Sequence, residues 1–136
     1  KLFKQGRIDM AMRSYKKVID MFSYLDNLKD EKDKAKDIKK MCELNTAACR
    51  LKRGEYAEVK RLCTEVLKDD GGNVKAIFRH AQADLALKNY DDCIREAKKL
   101  IARDPQNKEA RQLVKDAQLA QRQEEKKSKG LFGKMC

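Results

Sequence analysis

The sequence repeats itself at an interval of 34 residues. Shifting the chain against itself by this interval aligns similar residues from the middle of the chain onward: Leu51 with Leu85, Tyr56 with Tyr90, Leu67 with Ile101, Asp70 with Asp104 and Asn73 with Asn107. Self-similarity at a fixed interval of this size is typical of proteins that stack one supersecondary unit repeatedly. The repeat therefore predicts a solenoid in which each unit covers the apolar face of the next.

Each copy of the repeat has the pattern of two packed helices. Small residues, at 47–49 and again at Ala81 and Ala83, are followed by a turn and then by a tyrosine. Small side chains allow two antiparallel helices to approach closely, and the tyrosine fills the neighbouring groove. One proline, six glycines and no tryptophan, beside abundant Lys, Glu, Ala and Leu, also favour helices. The predicted fold class is all-α, a superhelix of antiparallel helix pairs.

Apolar spacing and turn residues predict the helix limits. The predicted helices cover residues 8–25, 30–53, 56–68, 74–87, 90–103 and 108–127. Gly6 and Gly54 are predicted to occupy equivalent turns, although they lie 48 residues apart. About 14 extra residues therefore lengthen the helices between the first two repeats, and a break is expected at Asp26 and Asn27.

These limits predict how the chain is organised. Residues 1–107 form the repeats, of which the first is truncated, the second spans 40–73 and the third spans 74–107. Residues 108–127 form a capping helix, because the end of a solenoid needs a polar outer face. Residues 128–136 are predicted to be a basic, flexible tail.

The charge balance points to an acidic partner. A net charge of +11 attracts nucleic acid, a membrane surface or a carboxylate-rich peptide, and charge alone leaves all three open. No run approaches the roughly 18 apolar residues of a membrane span, and no secretory leader is evident. We expect a soluble intracellular domain that does not bind membranes, in the cytoplasm and also in the nucleus.

The sequence predicts no catalytic, metal or cofactor site. The five cysteines are odd in number and lack C-x-x-C spacing, so we expect mostly buried, reduced thiols. His80 is the one histidine, and with no evident carboxylate or cysteine partner it is interpreted as a packing or surface residue. No paired carboxylates, nucleophile–base pair or phosphate-binding glycine loop is apparent, so this segment is not expected to be an enzyme.

Four residues are candidates for binding a peptide carboxylate. Lys75 and Arg79 lie four residues apart on the first helix of a pair and should project into the groove of the stack. Asn45 and Lys52 lie seven residues apart on the preceding first helix, on nearly one face. Arg forks onto a carboxylate, Lys supplies a point charge and Asn a neutral donor. Such a set could bind a peptide ending in Asp at about micromolar affinity, near 8 kcal/mol.

Two segments carry a resemblance to a known family. Leu44-Asn45-Thr46-Ala47-Ala48-Cys49-Arg50-Leu51-Lys52 and Asn73-Val74-Lys75-Ala76-Ile77-Phe78-Arg79 are similar to the signature of tetratricopeptide domains in large immunophilins. The lengthened helices and the opening Phe3-Lys4-Gln5-Gly6 resemble the FKBP-type members more than the cyclophilin type, which stays the alternative. The resemblance covers nearly the whole chain.

The resemblance implies a chaperone-binding role. In that family a clamp binds the Met-Glu-Glu-Val-Asp end of the ninety-kDa heat-shock chaperone, and Asn45, Lys52, Lys75 and Arg79 match its positions. The remaining Lys and Asn of the clamp belong to the first helix of repeat one, and that Asn would fall just before Lys1. The resemblance also implies a peptidyl-prolyl isomerase domain upstream and calmodulin binding by the basic tail.

A basic helical nucleic-acid binder is the competing interpretation. Only the net charge supports it, because the tyrosines and phenylalanines fit packing positions and no nucleic-acid-reading motif is present. We therefore expect a peptide partner and no nucleic acid.

Overall fold

The computed structural model describes the backbone of residues 2–135 and the side chains of residues 5–128. Within these limits the fold is all-α, with no strand. The helices are α1 (Leu2–Lys52), α2 (Tyr56–Asp69), α3 (Val74–Ala86), α4 (Tyr90–Arg103) and α5 (Lys108–Met135). The predicted limits of the three middle helices agree with the observed ones to within one residue.

The first part of the chain differs from the prediction. The turn expected at Gly6 and the break expected at Asp26 and Asn27 are both wrong, because α1 continues through all of these residues. Asp and Asn have only modest helix propensities, and a single Gly costs about 1 kcal/mol in a helix. Neither Gly nor Pro lies near residue 26, and the following stretch, residues 28–40, is rich in Lys, so nothing in the local sequence stops the helix.

The chain divides into two units, residues 1–39 and residues 40–136. In the first unit, the helix carries apolar side chains at spacings of three, four and seven residues, which places them on one face. These side chains are more than half exposed: Ile8, Tyr15, Val18, Ile19, Phe22 and Leu25. The first unit therefore presents an apolar face to solvent.

The second unit has a continuous series of small apolar cores between successive helices. Its buried residues recur at the repeat interval: Val59 and Cys93, Cys63 and Ala97, Val66 and Leu100, Ala47 and Ala81, Ala76 and Ala110, Ala83 and Ala117. Most are Ala, Val or Cys, so the helices pack closely. The predicted role of the small residues at 47, 81 and 83 in the helix interfaces is confirmed.

The turns inside the helix pairs also repeat at 34 residues. Gly54 has φ 78° and Lys88 has φ 66°, and each amide N–H bonds to the carbonyl three residues earlier. The starts of α3 and α5 are equivalent too. Asn73 and Asn107 each accept a hydrogen bond through the side-chain oxygen from the backbone N–H three residues on, at 3.0 Å. Asn side chains at this position replace the missing helical hydrogen bonds.

The last helix extends beyond its predicted end at residue 127. The backbone of residues 128–135 continues α5, and the predicted flexibility of this tail stays a prediction. Gly130 and Gly133 lower helix propensity without terminating a helix. No helix in the described part of the chain is long and apolar enough to cross a bilayer.

The prediction of buried cysteines is half right. Cys63 and Cys93 are fully buried in the cores, whereas Cys42 and Cys49 are exposed on α1. Cys49 lies two residues after the fully buried Ala47, which is about 200° around the helix and so points away from the α2 interface. Cys136 lies outside the described residues.

Candidate functional site

The first helix of the third repeat places two cations in one groove. Asn73 caps the start of α3. Residues 75 and 79 of this helix are four residues apart, so they lie about one turn apart and project to the same side. Both line a cavity of about 270 Å³ that Val74, Phe78, Gln82, Asn107 and Glu109 complete. Lys75 is exposed and Arg79 is half-buried. The structure therefore brings these two predicted site residues together.

Arg79 also joins α3 to α1. Its Nη1 donates a hydrogen bond to the backbone carbonyl oxygen of Leu44, at 2.8 Å. A guanidinium has five N–H donors in a fixed plane, so one bond to a carbonyl leaves donors for a carboxylate. This contact holds the guanidinium at the backbone of Leu44, the residue that precedes Asn45.

The other two predicted residues lie on α1. Asn45 and Lys52 are both exposed, and their separation of two helical turns corresponds to about 10 Å along the axis. Neither lines the cavity of Lys75 and Arg79. The structure thus places Asn45 next to the residue that Arg79 contacts, and Lys52 further along the same helix.

The groove offers both charge and apolar surface. Half-buried Phe78 and exposed Val74 provide apolar contacts between the cations, while Glu109 contributes a carboxylate at the α5 side. A carboxylate ligand would approach Lys75 and Arg79 and avoid Glu109, because like charges repel at short range. The arrangement accordingly favours a carboxylate on the Lys75 and Arg79 side of the cavity.

The sequence interpretation missed a buried polar cluster between α2, α3 and α4. We call it the His80 cluster, formed by Lys60, His80, Asp84 and Glu96. Asp84 is fully buried, and its Oδ1 lies 2.8 Å from Lys60 Nζ. His80 Nδ1 lies 2.7 Å from Glu96 Oε1 and 3.2 Å from Asp84 Oδ2. The interpretation of His80 as having no carboxylate partner is therefore wrong.

One signal of this cluster was present in the sequence. Asp84 follows His80 by four residues, which places both on one helix face. Glu96 comes from the next helix, and only the packing of α4 on α3 reveals that contact.

The groups of the His80 cluster shift one another's pKa values. The hydrogen bond with Glu96 raises the pKa of His80 above its ordinary value. Burial raises the pKa of the Glu96 carboxyl, although His80 partly offsets this effect. Burial disfavours ionised Asp84 as well, but hydrogen bonds from Lys60 and Asn89 outweigh it and lower the pKa of Asp84. His80 therefore lies between Glu96, whose ionisation burial disfavours, and Asp84, which Lys60 helps to keep ionised.

Comparison with known proteins identifies the family. The sequence profile described as tetratricopeptide repeat matches residues 50–117, which is half of the chain. The chain belongs to the tetratricopeptide-repeat family. The predicted all-α repeat fold is thus confirmed, and the chain is a protein-interaction module of this type.

Several curated relatives of this tetratricopeptide chain are FKBP-type isomerases. Peptidyl-prolyl cis-trans isomerase FKBP4 of Bos taurus is 33% identical over 129 residues, which cover 93% of this chain and 28% of the relative. PASTICCINO1 of Arabidopsis thaliana, also a peptidyl-prolyl cis-trans isomerase by name, is 39% identical over 95 residues. These residues cover 68% of this chain and 15% of the relative. FK506-binding protein 59 of Drosophila melanogaster is 29% identical over 133 residues, which cover 98% of this chain and 30% of the relative.

These alignments confirm the resemblance to the repeat domains of FKBP-type immunophilins. The chain spans less than a third of the length of each of the three relatives.

Proposed function

We infer that this domain captures the acidic C-terminal peptide of a chaperone, of the Met-Glu-Glu-Val-Asp type found on the ninety-kDa heat-shock chaperone. Lys75 and Arg79 hold carboxylates, Asn45 binds the terminal Asp and Lys52 supplies a further charge. The single observation that carries this proposal is the groove shared by Lys75 and Arg79, in which Arg79 is already oriented by Leu44 beside Asn45.

The chemistry of the groove supports a peptide rather than a phosphate backbone. A terminal Asp presents two carboxylates a few ångströms apart, which suits cations that are spaced by one helical turn. Phe78 and Val74 offer apolar contact to the Val and Met side chains of such a peptide. Each charge-assisted hydrogen bond contributes roughly 1.5–3 kcal/mol before ordering costs. Three such bonds near the upper end of this range, together with the apolar contacts, correspond to micromolar to tens-of-micromolar binding, about 7–8 kcal/mol.

The proposed module is organised in the predicted repeat units, 40–73 and 74–107, with 108–127 as the capping helix. The turns and caps that recur 34 residues apart support these limits. The FKBP-type relatives support a role as the chaperone-docking module of a peptidyl-prolyl isomerase co-chaperone, in preference to the cyclophilin-type alternative. A cytoplasmic and nuclear location and calmodulin binding by residues 128–136 belong to the same proposal.

Charge reversal in the groove tests the proposal. Lys75→Glu should reduce capture of the chain on an immobilised Met-Glu-Glu-Val-Asp peptide by about tenfold or more, because it replaces an attraction to carboxylate with a repulsion. Lys98→Glu on α4 makes the same charge change at an exposed position that does not line the groove, and should leave capture nearly unchanged. Equal losses in the two variants, or capture unaffected by Lys75→Glu, would contradict the proposal.

A further inference from the structure

We propose that His80, Asp84 and Glu96 form a binding site for a divalent transition-metal ion of the zinc type. One ligand atom from each residue lies within 4.8 Å of the other two, and the three residues come from two facing helices. His80 and Asp84 are one turn apart on α3, and Glu96 faces them from α4. An imidazole nitrogen and two carboxylate oxygens form a donor set that suits Zn²⁺ or Co²⁺.

The distances are close to those that a metal would require. Tetrahedral bonds of 2.0–2.2 Å separate neighbouring ligand atoms by about 3.3–3.6 Å. His80 Nδ1 and Asp84 Oδ2 already lie 3.2 Å apart. His80 Nδ1 and Glu96 Oε1 lie 2.7 Å apart. This distance would have to increase by less than about 1 Å for a metal ion to replace the proton between the two atoms. Small side-chain rotations would thus complete the ligand set.

The preceding repeat has a different residue at each of these three positions, and at the position of Glu96 it has an apolar one. Shifting each position by one repeat places Thr46 at His80, Arg50 at Asp84 and Leu62 at Glu96. Leu62 is part of the apolar core of its own repeat, where it is only 8% exposed. A buried carboxylate at this position costs free energy that a leucine would not. The third repeat therefore carries a largely buried carboxylate, Glu96, that packing alone does not explain.

Two oxygens in the cluster are buried without a hydrogen bond. Asp84 Oδ2 makes no hydrogen bond, although His80 Nδ1 lies 3.2 Å away, and Glu96 Oε2 makes none either; the Asp84 side chain is fully buried. Buried polar atoms are nearly always satisfied, so two such atoms beside the same imidazole indicate an unfilled requirement. A bound cation would satisfy Asp84 Oδ2, and it would satisfy Glu96 Oε2 as well if that carboxylate bound through both of its oxygens.

The surroundings of the cluster supply access and an outer hydrogen bond. A cavity of about 260 Å³ reaches His80 and Glu96 from the surface, and it gives an ion an entry path and room for a water ligand. Lys60 binds the other oxygen of Asp84, and Asn89 Nδ2 donates to the same atom at 3.2 Å. Such outer contacts hold a carboxylate in the orientation that a metal needs. Arg95 and Lys99 line the same cavity, so the affinity should be moderate.

Titration of the chain with zinc chloride tests the site. We expect Zn²⁺ to bind one equivalent and raise the thermal midpoint of unfolding, whereas Mg²⁺ should not. Glu96→Leu copies the residue of the preceding repeat and should fold at least as well as the parent, while the affinity for Zn²⁺ falls by about 100-fold or more. His80→Gln should give the same loss. Co²⁺ should show visible ligand-field absorption without the near-ultraviolet thiolate band.

The exposed thiols provide the control. Cys42→Ser/Cys49→Ser removes the two exposed cysteines of the described residues and should leave zinc affinity unchanged. Zinc affinity that survives both Glu96→Leu and His80→Gln, or that disappears with the two cysteines, would overturn the proposal. The absence of any zinc-dependent shift in the parent chain would also overturn it.

Discussion

Arg79 on α3 donates a hydrogen bond to the carbonyl oxygen of Leu44 on α1, at 2.8 Å. This bond crosses between the first helices of two successive repeats, and it holds the guanidinium at the backbone of the residue before Asn45. Arg79 therefore has a structural contact as well as its proposed role in binding a ligand, whereas its neighbour Lys75 is exposed. The two residues should differ in what their removal does to the free chain.

Replacing each residue by alanine separates these roles. We expect Arg79→Ala to lower the free energy of unfolding by about 1–2 kcal/mol, because a half-buried hydrogen bond from a charged donor is lost. Lys75→Ala should change it by less than about 0.5 kcal/mol, as exposed substitutions usually do. Urea denaturation of the two variants measures both values. Equal stabilities would mean that the Leu44 contact contributes nothing.

The turn at Lys88 is a place where the chain can be stabilised. Lys88 adopts φ 66°, while the equivalent residue of the preceding repeat is Gly54 with φ 78°. The left-handed conformation costs an L-residue roughly 1–2 kcal/mol, and glycine avoids this cost while losing more entropy on folding. Lys88→Gly should therefore raise the free energy of unfolding by about 0.5–1 kcal/mol.

Two control variants accompany this change. Lys88→Ala keeps the strained φ but removes the ion pair of Lys88 with Glu124, so it should not stabilise the fold. Gly54→Ala should destabilise it by about 1 kcal/mol, because it introduces a Cβ at the same conformation. A Lys88→Gly variant less stable than Lys88→Ala would contradict the assignment of strain to this turn.

Stability should fall as the pH rises above neutrality. His80 on α3 faces Asp84 of its own helix, Lys60 of α2 and Glu96 of α4, and its pKa is raised chiefly by Glu96. The folded chain therefore keeps a proton that the unfolded chain releases near pH 6.5. The resulting stabilisation is complete below that pH and is lost as the pH rises through the higher, folded pKa.

The ionisation of Glu96 also lowers the stability as the pH rises, but it does so at lower pH. Its raised pKa means that the folded chain also retains this proton longer, so stability declines from above about pH 4.3 as the carboxyl ionises. Denaturation from pH 5 to 8.5, with a chelator present, should show this decline in the parent chain and a flatter profile in His80→Gln. A stability that rises over this range would contradict the assigned shifts.

The four described cysteines should react at two very different rates. Burial raises the pKa of Cys63 to about 11 and that of Cys93 to about 12. Cys42 and Cys49 are exposed on α1. Alkylation at pH 8 with peptide mapping should modify the exposed pair within minutes, and the buried pair only on the timescale of unfolding. Comparable rates at all four positions would show that the cores open readily.

The sequence predicts the repeated part of this fold well because each element is specified locally. Asn73 and Asn107 mark helix starts, and the small residues at 81 and 83 mark an interface; both signals depend on neighbours in the chain. The length of α1 was not predictable in this way. Asp26 and Asn27 suggest a break, but without Gly or Pro their weak preference does not stop a helix.

The candidate sites show the same contrast. The spacing of Lys75 and Arg79 is a helical property, so their shared groove could be predicted from the sequence. The contact of Arg79 with Leu44 and that of His80 with Glu96 join different helices. Such contacts depend on how the helices pack, and a single sequence without relatives carries no signal for them.

The most direct test of the proposed function is a titration of the chain with a fluorescent Met-Glu-Glu-Val-Asp peptide, followed by anisotropy. We expect a Kd in the range of micromolar to tens of micromolar. Binding should weaken by about tenfold or more in Lys75→Ala/Arg79→Ala, on addition of salt, and on amidation of the peptide's C-terminus. Binding that is absent in the parent chain, or that is unchanged by both the double substitution and amidation, would contradict the proposed function.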